Sequence, residues 1–430
     1  MHINDFPTEL LEEIFLSSTV SQLQEHLPSP PFTYCRRSPA SLLVISKLCK
    51  RWRDIALNFA PLWTHLHVVD PQEVSVIQDL EVWMHRARTL PLCLSLRQCQ
   101  SYDLRAVVAV VTLFLNSLHR CQSFEMFVRT DLTFFCLGNI KRVPSTSLES
   151  VNVWCMDHKW KWTDAKFLTN LLFNRRSLRT IRWSCEFGGP LETTPHSWEN
   201  LRELSTDSVG TFDEFLNALS HCQNLERLKI RGQPYGRGSG SLSVTLPRVT
   251  DFSLSLGIPP RAILSHLVLP SLAELEVVLL YRLKTWTPVL DLIERSGVIL
   301  RKLGVINGNN PKVQRLNQVE LIRILKMPYF QELRILELEE PFVAGHDIIK
   351  FLTLPTSGNP AADDDDKSGC YLVHLERICL AFQGTRGVKV LEALRKLTKS
   401  RLGVLYDPKS ASEHIEITTH IRFSLSIPSR

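Results

Sequence analysis

Apolar positions along the chain follow two different periods. From residue 148 onward a short motif returns, apolar at its first, fourth and sixth positions with polar residues between. It reads LESVNVW at Leu148, LRTIRWS at Leu178, LRELSTD at Leu201, LERLKIR at Leu225 and VTDFSLS at Val249. It continues as LAELEVV at Leu272, LRKLGVI at Leu300, LRILELE at Leu333 and LERICLA at Leu375. Alternation of this kind predicts strands with one face buried and the other outward. The intervals are 30, 23, 24, 24, 23, 28, 33 and 42 residues, so the array is irregular. Between motifs the period changes to helical, in TFDEFLNALSHC, WTPVLDLIERSG, NQVELIRILKM and GVKVLEALRKLTKS. Thr211 with Asp213, and Asn317 with Glu320, read as helix starts. One strand and one helix per unit predict an α/β array with a parallel sheet. Weaker units, LWTHLHV, LPLCLSLR and CQSFEMFVR, with helix-like VIQDLEVWMHRA and the apolar stretch from Ala106 to Leu118, extend the pattern back to Leu62 with no flexible linker.

The first sixty residues are different. FPTELLEEIFLSS places Pro7 where the first turn of a helix tolerates it, and puts Leu10, Leu11, Ile14 and Phe15 on one side. The pattern breaks over Ser18 to Ser38. A second helix is expected from Ser41, with Leu42, Ile45, Cys49, Trp52, Ile55 and Phe59 on one stripe. Leu43, Val44 and Leu48 add a second apolar flank. A helix with two such flanks is suited to an internal core on one side and a partner on the other.

These segments carry a resemblance. FPTELLEEIF followed by SLLVISKLCKRWRDIALNFAPLW resembles an F-box, the module that docks a substrate receptor onto the Skp-family adaptor of cullin-RING ubiquitin ligases. Phe6-Pro7, Glu9, Ile14-Phe15, Leu48-Cys49, Lys50-Arg51-Trp52 and Leu62-Trp63 match the family pattern in order and type. Phe6 departs from the usual Leu, and the loop from Thr19 to Pro39 is longer than in compact versions. The resemblance implies that Pro7, Leu11, Ile14, Phe15, Ile45, Cys49, Trp52, Leu62 and Trp63 contribute to, or support, the adaptor interface. The alternative for each is ordinary internal core, and for Trp52 and Trp63 both readings stand.

Four of the intervals are 23–24 residues, inside the ~20–29 residues typical of leucine-rich repeats. The whole chain therefore resembles F-box proteins with leucine-rich repeats of the type abundant in mushroom-forming fungi. The expected fold is α/β: an N-terminal helical F-box over 1–63, divergent first repeats over 64–147, and an irregular leucine-rich-repeat solenoid over 148–430, with parallel strands and helices on the convex side. The implied role is a non-catalytic substrate receptor, bound to the Skp-family adaptor and through it to cullin and RING subunits, holding a protein substrate for ubiquitin transfer. Two other readings remain: an F-box protein acting outside a ligase as an assembly factor, and a repeat scaffold whose F-box-like segment only caps the array.

Outward strand positions are the expected substrate face. They run Ser150, Asn152, Trp154; Thr180, Arg182, Ser184; Glu203, Ser205, Asp207; then Arg227, Lys229, Arg231. After Asp251, Ser253 and Ser255 come Glu274 and Glu276, and later Glu337 and Glu339. Strands ~4.8 Å apart put the basic band about one Debye length from Glu274 and Glu276, which predicts distinct patches. The basic band, Arg227, Lys229 and Arg231, is the candidate receiver of an acidic or phosphorylated segment, and an ordinary solvated face is the alternative.

Composition changes this picture little. The chain of 430 residues is 44% hydrophobic and 22% charged, with a net charge of +6, which favours neither disorder nor general nucleic-acid binding. Its 11 cysteines contain no CxxC pair, and the first 20 residues show no secretory signal, so a reduced cytoplasmic or nuclear setting is expected with no membrane span. Cys155 and His158 have ligand-like spacing, but no second pair completes a zinc site, and no cofactor is expected. YGRGSGS at Tyr235 lacks the Lys-Ser/Thr of a phosphate loop. SGNPAADDDDKSG from Ser357 to Gly369 reads as an acidic excursion that lengthens the last interval.

Overall fold

The computed structural model describes residues 6–24, 45–98, 104–128, 147–155, 168, 171–173, 175–184, 198–207, 209–232, 234–235, 243–256, 261–279, 286–307, 318–338, 346–353, 372, 374–383, 392, 395–397, 400 and 420–426. The acidic excursion, His158, Asn317, Glu339, Leu42 to Val44 and most of the helix expected over 387–400 lie outside them. The chain forms two compact units, Met1–Leu201 and Arg202–Arg430.

The first unit opens with helix α1 (Thr8–Gln24), a helical turn over 45–48, helix α2 (Lys50–Asn58) and a 3-10 turn at Ala60–Trp63. Strand β1 (His65–Val69), helix α3 (Val76–Arg86), β2 (Leu92–Arg97), helix α4 (Leu104–Asn116), β3 (Cys121–Val128), β4 (Ser150–Cys155) and β5 (Thr180–Trp183) follow. The five strands pair in sequence order and all run parallel. The three weak units thus form strands too, with one register shift between Leu92 and Cys93 where β2 meets β3.

The helices depart from expectation in two places. α1 continues past Ser18, whose hydroxyl donates to the Phe15 carbonyl within the helix. The single helix expected from Ser41 is broken at Cys49, which is extended (φ −155°, ψ 169°) and caps α2 by accepting the Trp52 N–H at 3.5 Å.

The second unit comprises β6 (Glu203–Thr206), β7 (Val209–Thr211), α5 (Phe212–Ser220), β8 (Arg227–Ile230), β9 (Pro234–Tyr235), β10 (Val244–Thr245), β11 (Asp251–Leu256), α6 (Arg261–Leu264), β12 (Leu267–Val268) and β13 (Glu274–Leu279). It continues through α7 (Thr287–Ser296), β14 (Lys302–Asn307), α8 (Gln318–Leu325), β15 (Ile335–Leu338), α9 (His346–Leu352), β16 (Arg377–Gln383) and β17 (His420–Ser426). β6, β8, β11, β13, β14, β15 and β16 are successive parallel neighbours. β17, which the repeat pattern does not foretell, adds antiparallel to β16 and covers its outer edge. Short parallel pairs β7–β9 and β10–β12 lie outside this sheet.

The core follows from register. Leu66, Leu94, Phe124, Val151 and Ile181 are aligned across the first unit, and Leu204, Leu228, Phe252, Leu275, Leu303, Leu336 and Ile378 across the second; all are buried. The first residue of every strong motif, from Leu148 to Leu375, is buried too. Just before each strand the backbone adds one further rung. Glu226 N–H bonds Arg202 O, Thr250 bonds Glu226, Ala273 bonds Thr250, Arg301 bonds Ala273, Arg334 bonds Arg301 and Glu376 bonds Arg334. Such repetition keeps the outward residues in rows although the intervals vary, since extra length is absorbed in the connections.

Candidate functional site

Surfaces able to hold a protein partner occur in three places: the N-terminal helices and the outward strand rows of each unit. On α1, Leu11 and Phe15 are one helical turn apart and fully buried, with 0% and 1% of their surface exposed. Leu10 and Ile14 form the adjacent row and are 51% and 41% exposed. Leu48 is 60% exposed. Phe15 meets Trp52 with ring centroids 4.9 Å apart, which fixes α1 against α2. Arg51 donates to the Phe6 carbonyl at 2.7 Å, tying the start of the first helix to the second.

Trp63 is the joint between these helices and the first strand. Its indole N–H donates to the Ala56 carbonyl at 2.8 Å, its ring meets Trp83 edge-on at 4.7 Å, and the Arg86 guanidinium lies 4.5 Å above it. Of the nine positions implied by the F-box resemblance, Leu11, Phe15, Ile45, Leu62 and Trp63 are internal. Cys49 and Trp52 are half-buried, and Pro7 and Ile14 are exposed. The buried five can support an interface; Pro7 and Ile14, together with Leu10 and Leu48, are the ones a partner can touch.

In the second unit the outward residues form a grid. One row reads Glu203, Arg227, Asp251, Glu274, Lys302; the next reads Ser205, Lys229, Ser253, Glu276, Gly304, Glu337. The expected separation into basic and acidic patches is corrected here. Arg227 pairs with Glu203 at 2.8 Å, Arg231 with Asp207 at 3.7 Å, and Lys229 with Glu276 at 3.6 Å. Backbone spacing had suggested a gap, but Lys229 spans the intervening strand because only Ser253 stands between, and Ser253 itself donates to Glu276 at 2.7 Å. Lys302 pairs with Glu337 at 3.1 Å. Glu276 and Glu337 flank Gly304, where an added Cβ would meet the Glu276 side chain at 3.4 Å.

Asp251 and Glu274 are aligned neighbours and are left without an ion pair among the described residues. Burial, then the adjacent Glu274 and Glu276, hold the Asp251 carboxyl above its usual range, against the pull of Lys302 and Lys229. Burial draws the Lys302 ammonium down, but its hydrogen bond to Glu337 and the charges of Glu337, Glu274 and Glu276 outweigh this and raise it.

The outward face of the first unit is built from hydrogen bonds and rings. His67, Ser95, Glu125 and Asn152 are aligned on β1 to β4. Ser95 donates to Glu125 at 2.9 Å, and Asn152 donates to its other oxygen at 3.0 Å. The Ser95 proton is thereby used, so the 2.8 Å contact with His67 has the imidazole Nδ1–H as donor. One step along the strands, Arg97, Phe127 and Trp154 are aligned and half-buried. The Arg97 guanidinium lies 5.8 Å from the Phe127 ring, and Phe127 meets Trp154 edge-on at 4.7 Å. Trp154 was legible as outward from the motif at Leu148; Arg97 and Phe127 sit at the equivalent place in the weak units, where the alternation could have found them.

Three of the described cysteines are disfavoured as thiolates. Burial pushes Cys121 up to about 12, with Cys93 adding to it, and raises Cys93 and Cys222 as well. Among the described residues no group of three or more His, Cys, Asp or Glu is placed to hold a metal ion, and no helix is long and apolar enough to cross a membrane. No protein-family model matches the chain, and no curated protein matches it.

Proposed function

We propose that the protein is the substrate receptor of a Skp-cullin-F-box ubiquitin ligase, with its N-terminal helices as the adaptor-docking module and its strand array, read as leucine-rich repeats, as the substrate-binding part. The observation that carries this reading is the uncovered apolar surface at Leu10, Ile14 and Leu48. Of seven large exposed hydrophobic residues among the described ones, these three fall in the first 48 positions. Each is about half-exposed, so full cover by a partner would gain roughly half of the ~1.5–3 kcal/mol that burying a wholly exposed side chain gives. Directly beneath lie Leu11 and Phe15, so the exposed row is displayed by a packed helix.

In this role the chain performs no chemistry itself. The Trp63 joint leads from the docking helices straight into β1, so a held substrate would be presented in a narrow range of positions to a recruited conjugating enzyme. Co-expression with a Skp-family adaptor tests the reading. The wild type should co-purify with the adaptor and, through it, with cullin. The change Leu10→Asp/Ile14→Asp should abolish this while leaving the circular dichroism unchanged. A wild-type chain that stays free beside excess adaptor would overturn the reading; adaptor binding without cullin would make the protein an assembly factor instead.

A further inference from the structure

Arg97 differs from the outward cations of the second unit. In the second unit Arg227, Lys229, Arg231 and Lys302 each have a carboxylate partner. In the first unit Arg97 has none among the described residues. Glu125 is the one carboxylate on the described outward rows of β1 to β5, and Ser95 and Asn152 occupy both its oxygens. Asp70 bonds the Arg97 carbonyl through its backbone N–H at 2.9 Å. Beside Arg97 the Phe127 ring is half-exposed, and beyond it the Trp154 indole N–H has no hydrogen-bond partner among the described residues. The row therefore offers donors at both ends, with a ring between them and no acceptor side chain of its own.

We infer that Arg97, Phe127 and Trp154 form a docking row for an acidic peptide segment that carries an apolar or aromatic side chain next to its carboxylate. The guanidinium takes the carboxylate as a planar fork, the neighbouring side chain lies against Phe127 and Trp154, and the indole N–H donates to an acceptor further along the segment. Three strands span ~10 Å at ~4.8 Å each, and alternate residues of an extended peptide are ~6.6 Å apart, so a segment of three or four residues covers the row. The sequence alone favoured Arg227, Lys229 and Arg231 for such a ligand; each of these has a carboxylate partner, whereas Arg97, in the first unit, has none among the described residues. Calling the ligand a substrate rests on the receptor reading, whereas the binding itself does not.

The test uses the full chain without adaptor, so its outcome is separate from that of adaptor docking. A fluorescein-labelled twelve-residue peptide alternating Glu and Phe is titrated by anisotropy beside Gln/Phe, Lys/Phe, Glu/Ser and phosphoserine/Ser versions. The Glu/Phe peptide should bind, and the Gln/Phe and Glu/Ser peptides at least tenfold more weakly. Arg97→Gln should weaken Glu/Phe binding at least tenfold, Arg97→Lys less, and Trp154→Phe severalfold with its ring packing kept. Arg227→Gln/Lys229→Gln/Arg231→Gln should leave it unchanged. The inference is overturned by equal binding of the Lys/Phe peptide, by preference for phosphoserine/Ser, by loss with the triple change in place of Arg97→Gln, or by no binding at all.

Discussion

Leu10 and Leu11 are adjacent in sequence and opposite in fate: one is half-exposed, the other fully enclosed. Helical periodicity places Leu10, Leu11, Ile14 and Phe15 in one broad apolar band, and nothing in the band itself says which edge faces inward. The contact of Phe15 with Trp52 decides it, and that contact depends on the break at Cys49, which a stripe counted through one continuous helix does not show. The two leucines should therefore respond differently. Leu11→Asp buries an unpaired carboxylate and should unfold the N-terminal helices, seen as lost helical signal and a protease-sensitive N-terminus, whereas Leu10→Asp should leave both intact. Asp251 supports a pH prediction of definite sign. Its raised carboxyl means that the native state holds this proton more tightly than the unfolded chain, so the contribution of Asp251 to stability falls as pH rises through the carboxylate range. Asp251→Asn should raise the melting temperature at pH 7, with the gain shrinking towards zero below the unfolded carboxylate value.

At the scale of elements, strands were more legible than helices or joints. Every strong motif forms a strand, because a buried residue at every second position leaves one choice of face. α7 was equally readable: Pro288 opens it, and Val289, Leu292, Ile293 and Ser296 are buried at helical spacing. Gly297 ends it at φ 65°, with nothing within 4 Å of where a Cβ would be. Gly297→Ala should thus cost ~1 kcal/mol from backbone conformation alone, measured by chemical denaturation. Trp63 is the opposite case, since its residue type was evident but its role as a joint required α3, which supplies Trp83 and Arg86. Trp63→Ala should cost ~3–5 kcal/mol and loosen the helices from β1, visible as faster amide exchange across both.

Across the whole molecule, alternation along the strands was enough to sort inward from outward residues, and register then determined what the outward ones do. Sequence separates Lys229 from Glu276 by an entire repeat, yet their side chains meet across Ser253, so the charge map read strand by strand changes once the strands are side by side. The same alignment assembles Arg97, Phe127 and Trp154 from three units, two of them too weak to stand out by motif. Ion pairs on such a face contribute ~0–1 kcal/mol each, so they neutralise the face more than they stabilise it.

The receptor account places the adaptor on the N-terminal helices and leaves the strand faces free. Hydrogen–deuterium exchange of the full chain, with and without a Skp-family adaptor, tests this most directly. The account predicts added protection confined to residues 8–24 and 45–63, lost in the Leu10→Asp/Ile14→Asp chain. Protection on the strands with none on those helices, or no change anywhere at saturating adaptor, would contradict it.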